Sequence, residues 1–116
     1  MPHVCTKEQA EHIAKITRYG EGGRGYAGST RAASYATKPM PKHLADSKAS
    51  TTVVAQIEDP IGVENVEEIA KVEGIDALFI GQVDLAVAYG ASSVADDVVT
   101  RRAFASSKRP RMPVSL

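Results

Sequence analysis

The stretch Val53–Gly90, VVAQIEDPIGVENVEEIAKVEGIDALFIGQVDLAVAYG, decides the fold. It opens with a β-rich run, Thr51 to Ile57, whose near-continuous apolar character predicts a strand buried on both faces. Pro60 ends that run. Ile61, Val63, Val66, Ile69, Ala70 and Val72 then recur at helical spacing, with Glu64, Glu67, Glu68 and Lys71 on the outer side. Gly74 closes the helix, Ala77–Ile80 reads as a second buried strand, and LAVAYG after Asp84 reads as a two-turn helix ended by Gly90. Two strands joined by a helix form a right-handed βαβ unit with a parallel pair. The fold class is therefore α/β, either doubly wound or a barrel.

Upstream, Thr6-Lys7-Glu8-Gln9 has the spacing of a capping box. Ala10, Ile13, Ala14 and Thr17 continue it into a predicted helix over residues 6–18, stopped by Gly20. The next nine residues, GEGGRGYAG, hold five glycines. They lack the Gly-Lys-Ser/Thr of a phosphate-binding Walker loop. They also fit G-x-G-x-x-G poorly and follow no strand, which argues against dinucleotide binding. Arg24 in this loop is either a solvated arginine or an anion contact at the mouth of a site. Ser29–Ala36 could form one or two helical turns. Thr37–Ser50, with two prolines and little periodicity, reads as a long surface loop or a poorly made short helix. Pro2-His3-Val4 could be the tail of a strand. His3 is then expected near a strand end, His12 on a helix face and His43 in a loop, in structural or solvated roles.

The chain has 116 residues, 43% apolar and 24% charged, with zero net charge. That suits one modest soluble domain. No apolar run approaches the length of a membrane span, and MPHVCTKEQ lacks the pattern of a secretory signal. The lone Cys5 has no disulfide partner in the chain and reads as a small buried hydrophobe; a cytoplasmic setting is expected. Residues 101–116 carry five basic side chains and no acid. The domain is accordingly placed at residues 1–95 and a divergent basic tail, a helix and then disorder, at 96–116. The tail has no nucleic-acid motif, and neither a nucleic-acid nor a membrane partner is expected.

Glu58 ends the first strand and Asp84 follows the second. Adjacent parallel strands lie about 4.8 Å apart, so the two carboxylates can converge on one cation at the strand ends where α/β folds bind ligands. Magnesium or manganese suits two carboxylates and a chelating substrate. Spacing alone leaves other readings open: Asp84 as a helix N-cap, and Glu58 as a solvated strand-end acid.

QIEDPIGVENVEEIAKVEGIDALFIGQVDLAVAYG resembles the heart of the HpcH/HpaI aldolase/citrate lyase family. The shared parts are a Q-I-E segment, a helix of the type ENVEEIA, G-I-D-x-L-F-I-G, and D-L followed by a glycine. VCTKEQAEHIAKITRYGEGGRGYAGSTRAASYA resembles the family's preceding helix and its R-Y-P-P-x-G-x-R-G loop. The resemblance runs from about Pro2 to Val94. Gly20-Glu21 stand where two prolines are usual, and Gln82 where proline is usual.

The resemblance implies a partial (β/α)8 TIM barrel, roughly strands 4–6 with their helices. It implies metal-assisted aldol cleavage or condensation of 2-keto-3-deoxy or 4-hydroxy-2-oxo acids, giving pyruvate and an aldehyde. Glu58 and Asp84 would be the metal ligands, with Mg2+ or Mn2+ as the cofactor. Gln56, Gly81, Val83, Asp84 and Arg24 would bind substrate, with backbone N–H groups of Gly81–Asp84 meeting its carboxylate. A small keto acid and a homo-oligomer are the expected partners. None of the three histidines matches the family's catalytic one, so no catalytic residue is assigned and the isolated chain is expected to be incomplete. Two alternatives stand beside this: a non-catalytic remnant or interaction module, and a citrate-lyase-like lyase acting on acyl-CoA hydroxy acids.

Overall fold

The computed structural model describes residues 1–99 and 101. Of the predicted tail at 96–116, residues 100 and 102–116 lie outside the described residues. Helix α1, Lys7–Ile16, begins with the expected capping box: the Thr6 hydroxyl accepts from the Gln9 N–H, and the Gln9 side chain accepts from the Thr6 N–H. A 3-10 turn, Arg31–Ala33, and helix α2, Met40–Ser50, precede strand β1, Val54–Ile57. Helices α3, Pro60–Glu64, and α4, Val66–Ala70, lead to strand β2, Ala77–Ile80, and helix α5, Gln82–Ala88.

β1 and β2 pair in parallel, Val54 against Ala77 through Ile57 against Ile80, as the βαβ reading predicts. The N-terminal segment lies along the other edge of β1. Gln56 N–H donates to the Met1 carbonyl and Val4 N–H donates to the Gln56 carbonyl. Met1 and Val4 thus bracket Gln56 with one residue more than a regular parallel ladder holds. The surplus is taken up at His3, whose φ of 53° is uncommon for a residue with a side chain.

The core lies on one face of these strands. Val53, Ala55 and Ile57 pack there with Val4, with Ala10, Ile13 and Ala14 of α1, and with Val63, Ile69, Val72 and Leu85. Val54, Gln56 and Phe79 occupy the opposite face, and Phe79 is 57% exposed. The strands are therefore not buried on both faces as expected. Helices cover one side only, and the other side is open.

Of the two readings of Thr37–Ser50, a surface loop or a short helix, the helix is the one formed, over Met40–Ser50: Pro39 and Pro41 fall at its start, where missing N–H groups cost nothing. Two further expectations are corrected. The helix from Ile61 to Val72 breaks at Asn65, whose side chain donates to the Cys5 carbonyl (2.8 Å) instead of following the apolar stripe. His43 is in helix α2 and buried, not in a loop.

Candidate metal and carboxylate site

Alternation along β1 puts Val54, Gln56 and Glu58 on the open face, and the register carries Glu58 opposite Gly81. The contact is close. A Cβ added to Gly81 would lie 2.6 Å from Glu58 Cβ, 2.9 Å from Glu58 Oε2 and 3.2 Å from Gln56 Nε2. Glycine is required here by space, because its backbone runs directly against the carboxylate side chain.

Glu58 is only 3% exposed. A carboxylate so buried must be satisfied by hydrogen bonds or charge. The His3 backbone N–H donates to its Oε1 at 2.9 Å, and the Gln56 amide donates to its Oε2. The irregular backbone at His3 is what turns that N–H away from the ladder and toward the carboxylate. Glu58 is thus a held, oriented acid, not a solvated strand end.

The His3 ring completes the neighbourhood. Its Nδ1 lies 3.0 Å from Asp59 Oδ2 and 3.4 Å from Glu58 Oε1. The Asp59 hydrogen bond, then the charge of Glu58, and more weakly those of Asp59 and Asp84, raise the His3 pKa above its ordinary value. Asp59 is lowered in return, chiefly by its hydrogen bond with His3. Cys5 Sγ donates to the same Asp59 oxygen at 3.4 Å, and the thiol is pushed up by burial and then by Asp59. Cys5 is therefore a half-buried hydrogen-bond donor, where the sequence predicted only a small hydrophobe.

Asp84 sits in the first turn of α5, whose N-cap is Gly81 with no side-chain cap. The N-cap reading of Asp84 is thereby corrected; a first-turn acid is instead favoured by the helix dipole. The first-turn N–H groups of a helix have no partner within it. Gly81 N–H is already given to the Ile57 carbonyl at 2.9 Å, so it is not free for a substrate carboxylate. Gln82, Val83 and Asp84 supply the first-turn N–H groups of α5 instead. Val83 is exposed on that open side.

Gln56, Glu58, Gly81, Val83 and Asp84 thus gather at one end of the parallel pair. Arg24 does not join them. Its N–H donates to the Arg18 carbonyl, and the Arg18 guanidinium reaches the Thr51 carbonyl (2.9 Å) and Asp76 (3.3 Å), at the N-terminal ends of both strands. Arg24 stacks on Tyr19 there, its guanidinium carbon 4.6 Å from the ring centre. Sequence reasoning missed Arg18, which ties α1 to the start of the sheet. It also missed the ring of donors around Glu58 that depends on the His3 backbone.

Two carboxylates with the remaining positions left to water and substrate are what magnesium or manganese takes, and Glu58 and Asp84 offer such hard oxygen donors. Among the described residues no group of three or more His, Cys, Asp and Glu side chains is arranged to hold a metal by itself. A cavity of about 1230 Å³ lies between α1, the glycine-rich loop and α2, but Gln56, Glu58, Gly81 and Asp84 do not line it. The oriented acid, Glu58, lies on the open strand face instead. Among the described residues no helix is long and apolar enough to cross a membrane.

The family model for HpcH/HpaI aldolase/citrate lyase matches residues 1–108. The chain is 44% identical over 91 residues to a 5-keto-4-deoxy-D-glucarate aldolase of Escherichia fergusonii, covering 78% of this chain and 35% of that one. It is 43% identical over the same length to the Salmonella arizonae protein of that name. A solved HpcH/HpaI aldolase/citrate lyase family protein from Burkholderia cenocepacia superposes with a TM-score of 0.80 at 32% identity, covering 93% of this chain and 45% of that one. The citrate synthase SbnG superposes at 0.74 with 30% identity, covering 92% and 40%. The chain thus spans about a third of the length of the curated relatives it matches. On the family match over residues 1–108, the chain belongs to the HpcH/HpaI aldolase/citrate lyase family.

Proposed function

We propose that this chain carries the metal- and carboxylate-binding half of an aldolase site, acting as a carbon–carbon lyase on 2-keto-3-deoxy or 4-hydroxy-2-oxo acids to give pyruvate and an aldehyde. The observation that carries the reading is Glu58: a buried carboxylate, fixed by two donors against the backbone of Gly81, the residue from which α5 and its first-turn Asp84 begin. Relatives named as 5-keto-4-deoxy-D-glucarate aldolases support the substrate class.

Glu58 and Asp84 would hold Mg2+ or Mn2+. When bound, the ion supplies Lewis acidity for the charge that develops on the keto oxygen as the carbon–carbon bond breaks. The chain's own residues do the positioning. Backbone N–H groups of Gln82, Val83 and Asp84 receive the substrate carboxylate, Gln56 lines the same face, and Gly81 keeps room for both. A cytoplasmic, homo-oligomeric setting belongs to the same proposal.

A second reading, a lyase for acyl-CoA hydroxy acids, is favoured by the likeness to SbnG, a citrate synthase. A third is a non-catalytic module, which the open strand face favours. The test is pyruvate release from 5-keto-4-deoxy-D-glucarate by the full chain with Mn2+, followed by a coupled NADH assay. Metal-dependent release that Asp84→Asn abolishes supports the aldolase. Metal binding without release selects the non-catalytic module, and release from an acyl-CoA hydroxy acid alone selects the second reading.

A further inference from the structure

We propose a second small-ligand site, for a compact oxyanion, at the N-terminal end of the strands and separate from Glu58 and Asp84. A cavity of about 250 Å³ lies there between the glycine-rich loop and α2, lined among others by Tyr19, Arg24, Lys38, His43, Ser47 and Thr51. That is too small for a nucleotide and of the right order for a phosphate or a short carboxylate.

His43 is the first reason to assign a ligand. It is 3% exposed and held between two rings, 5.6 Å from Tyr19 and 5.4 Å from Tyr26. Its Nδ1 is buried with no hydrogen-bond partner. Buried polar groups are nearly always paired, so an orphaned imidazole nitrogen beside a cavity marks a place built for a polar guest. To pair with an oxyanion, Nδ1 must carry the ring proton and donate it to the guest's oxygen.

Charge is the second, independent reason. Arg24 enters no ion pair among the described residues; it is held by the face of Tyr19, which orients the guanidinium without neutralising it. Lys38 reaches Asp46 at 3.1 Å, but Lys42 reaches the same carboxylate at 3.2 Å, so the lone acid in the lining is shared between two lysines. The cavity wall is left net positive. Ser47 and Thr51 add hydroxyls at its floor. A planar guanidinium, an ammonium and hydroxyls together match the oxygens of phosphate or carboxylate.

The experiment is titration of the full chain with inorganic phosphate, and in a second arm with acetate, at constant ionic strength set by chloride. The ring resonances of His43 are followed by nitrogen–proton correlation NMR. Saturable shifts of His43 are expected, with affinity falling at least fivefold in Arg24→Gln and unchanged in Asp84→Asn. The arm that saturates at the lower concentration names the ligand class. Arg24 is exposed, so its replacement leaves the fold intact, which circular dichroism checks. His43→Phe keeps the ring between the tyrosines and, followed at the Arg24 Nε–H resonance, should also weaken binding. Shifts that fail to saturate in both arms, or that saturate equally in Arg24→Gln, overturn the proposal.

Discussion

Replacing Gly81 by alanine tests how tightly the site is built. The added Cβ would stand 2.6 Å from Glu58 Cβ, where carbon atoms ordinarily rest at about 3.5–4.0 Å. The two strand ends must separate by about 1 Å, because Glu58 Cβ is fixed to the backbone and cannot rotate away. Overpacking of this kind costs about 1–3 kcal/mol. At about 2.1 cal/mol/K of unfolding entropy per residue over 116 residues, that lowers Tm by about 4–12 °C. The same displacement carries Glu58 away from Asp84, so affinity for Mn2+ should fall as well. Thermal unfolding and calorimetric titration on one preparation read both effects. Gly25→Ala is the control, since nothing lies within 4 Å of its added Cβ and it should change neither. A Gly81→Ala protein that melts and binds Mn2+ like the parent would refute the packing on which the site rests.

His3→Gly should be more stable than His3→Val by about 1 kcal/mol, since both lack the imidazole but only glycine accepts the positive φ without strain; urea midpoints compare them. Without metal, the His3–Asp59 pair should give a stability plateau between the ordinary carboxylate and imidazole ranges. It is lost as pH rises through the raised pKa of His3 and as pH falls through the lowered pKa of Asp59. Asp59→Asn should flatten that profile in urea unfolding run with a chelator. Arg18→Met should destabilise by about 1–2 kcal/mol, the worth of its partly exposed charged hydrogen bonds to Thr51 and Asp76, read from the same unfolding curves.

The parallel pair was legible because both strands are short apolar runs punctuated by Pro60 and Gly81, and the capping box at Thr6 because its chemistry is local. Glu58 and Asp84 were legible as acids at strand ends. What held them was not. The His3 backbone meets Glu58 across 55 residues, and its positive φ leaves no trace in residue type. Arg24 looked like a site residue because it lies in a glycine-rich loop, but the loop's place is set by Arg18 binding Thr51 and Asp76, which only the tertiary fold brings together. The break at Asn65 was hidden for a similar reason: the apolar stripe continues through it, while its side chain answers to Cys5, sixty residues away. Alternation along β1 was masked because Val54 is apolar on the open face as well as Val53 and Ala55 on the covered one.

The central claim is that Glu58 and Asp84 share one divalent cation. Isothermal titration of Mn2+ into the parent chain, Glu58→Gln and Asp84→Asn measures it directly, because both substitutions keep the shape of the site and remove one charge. A saturating heat in the parent that is lost in each variant is the predicted result. Equal heats in all three proteins, or none in the parent, would contradict it.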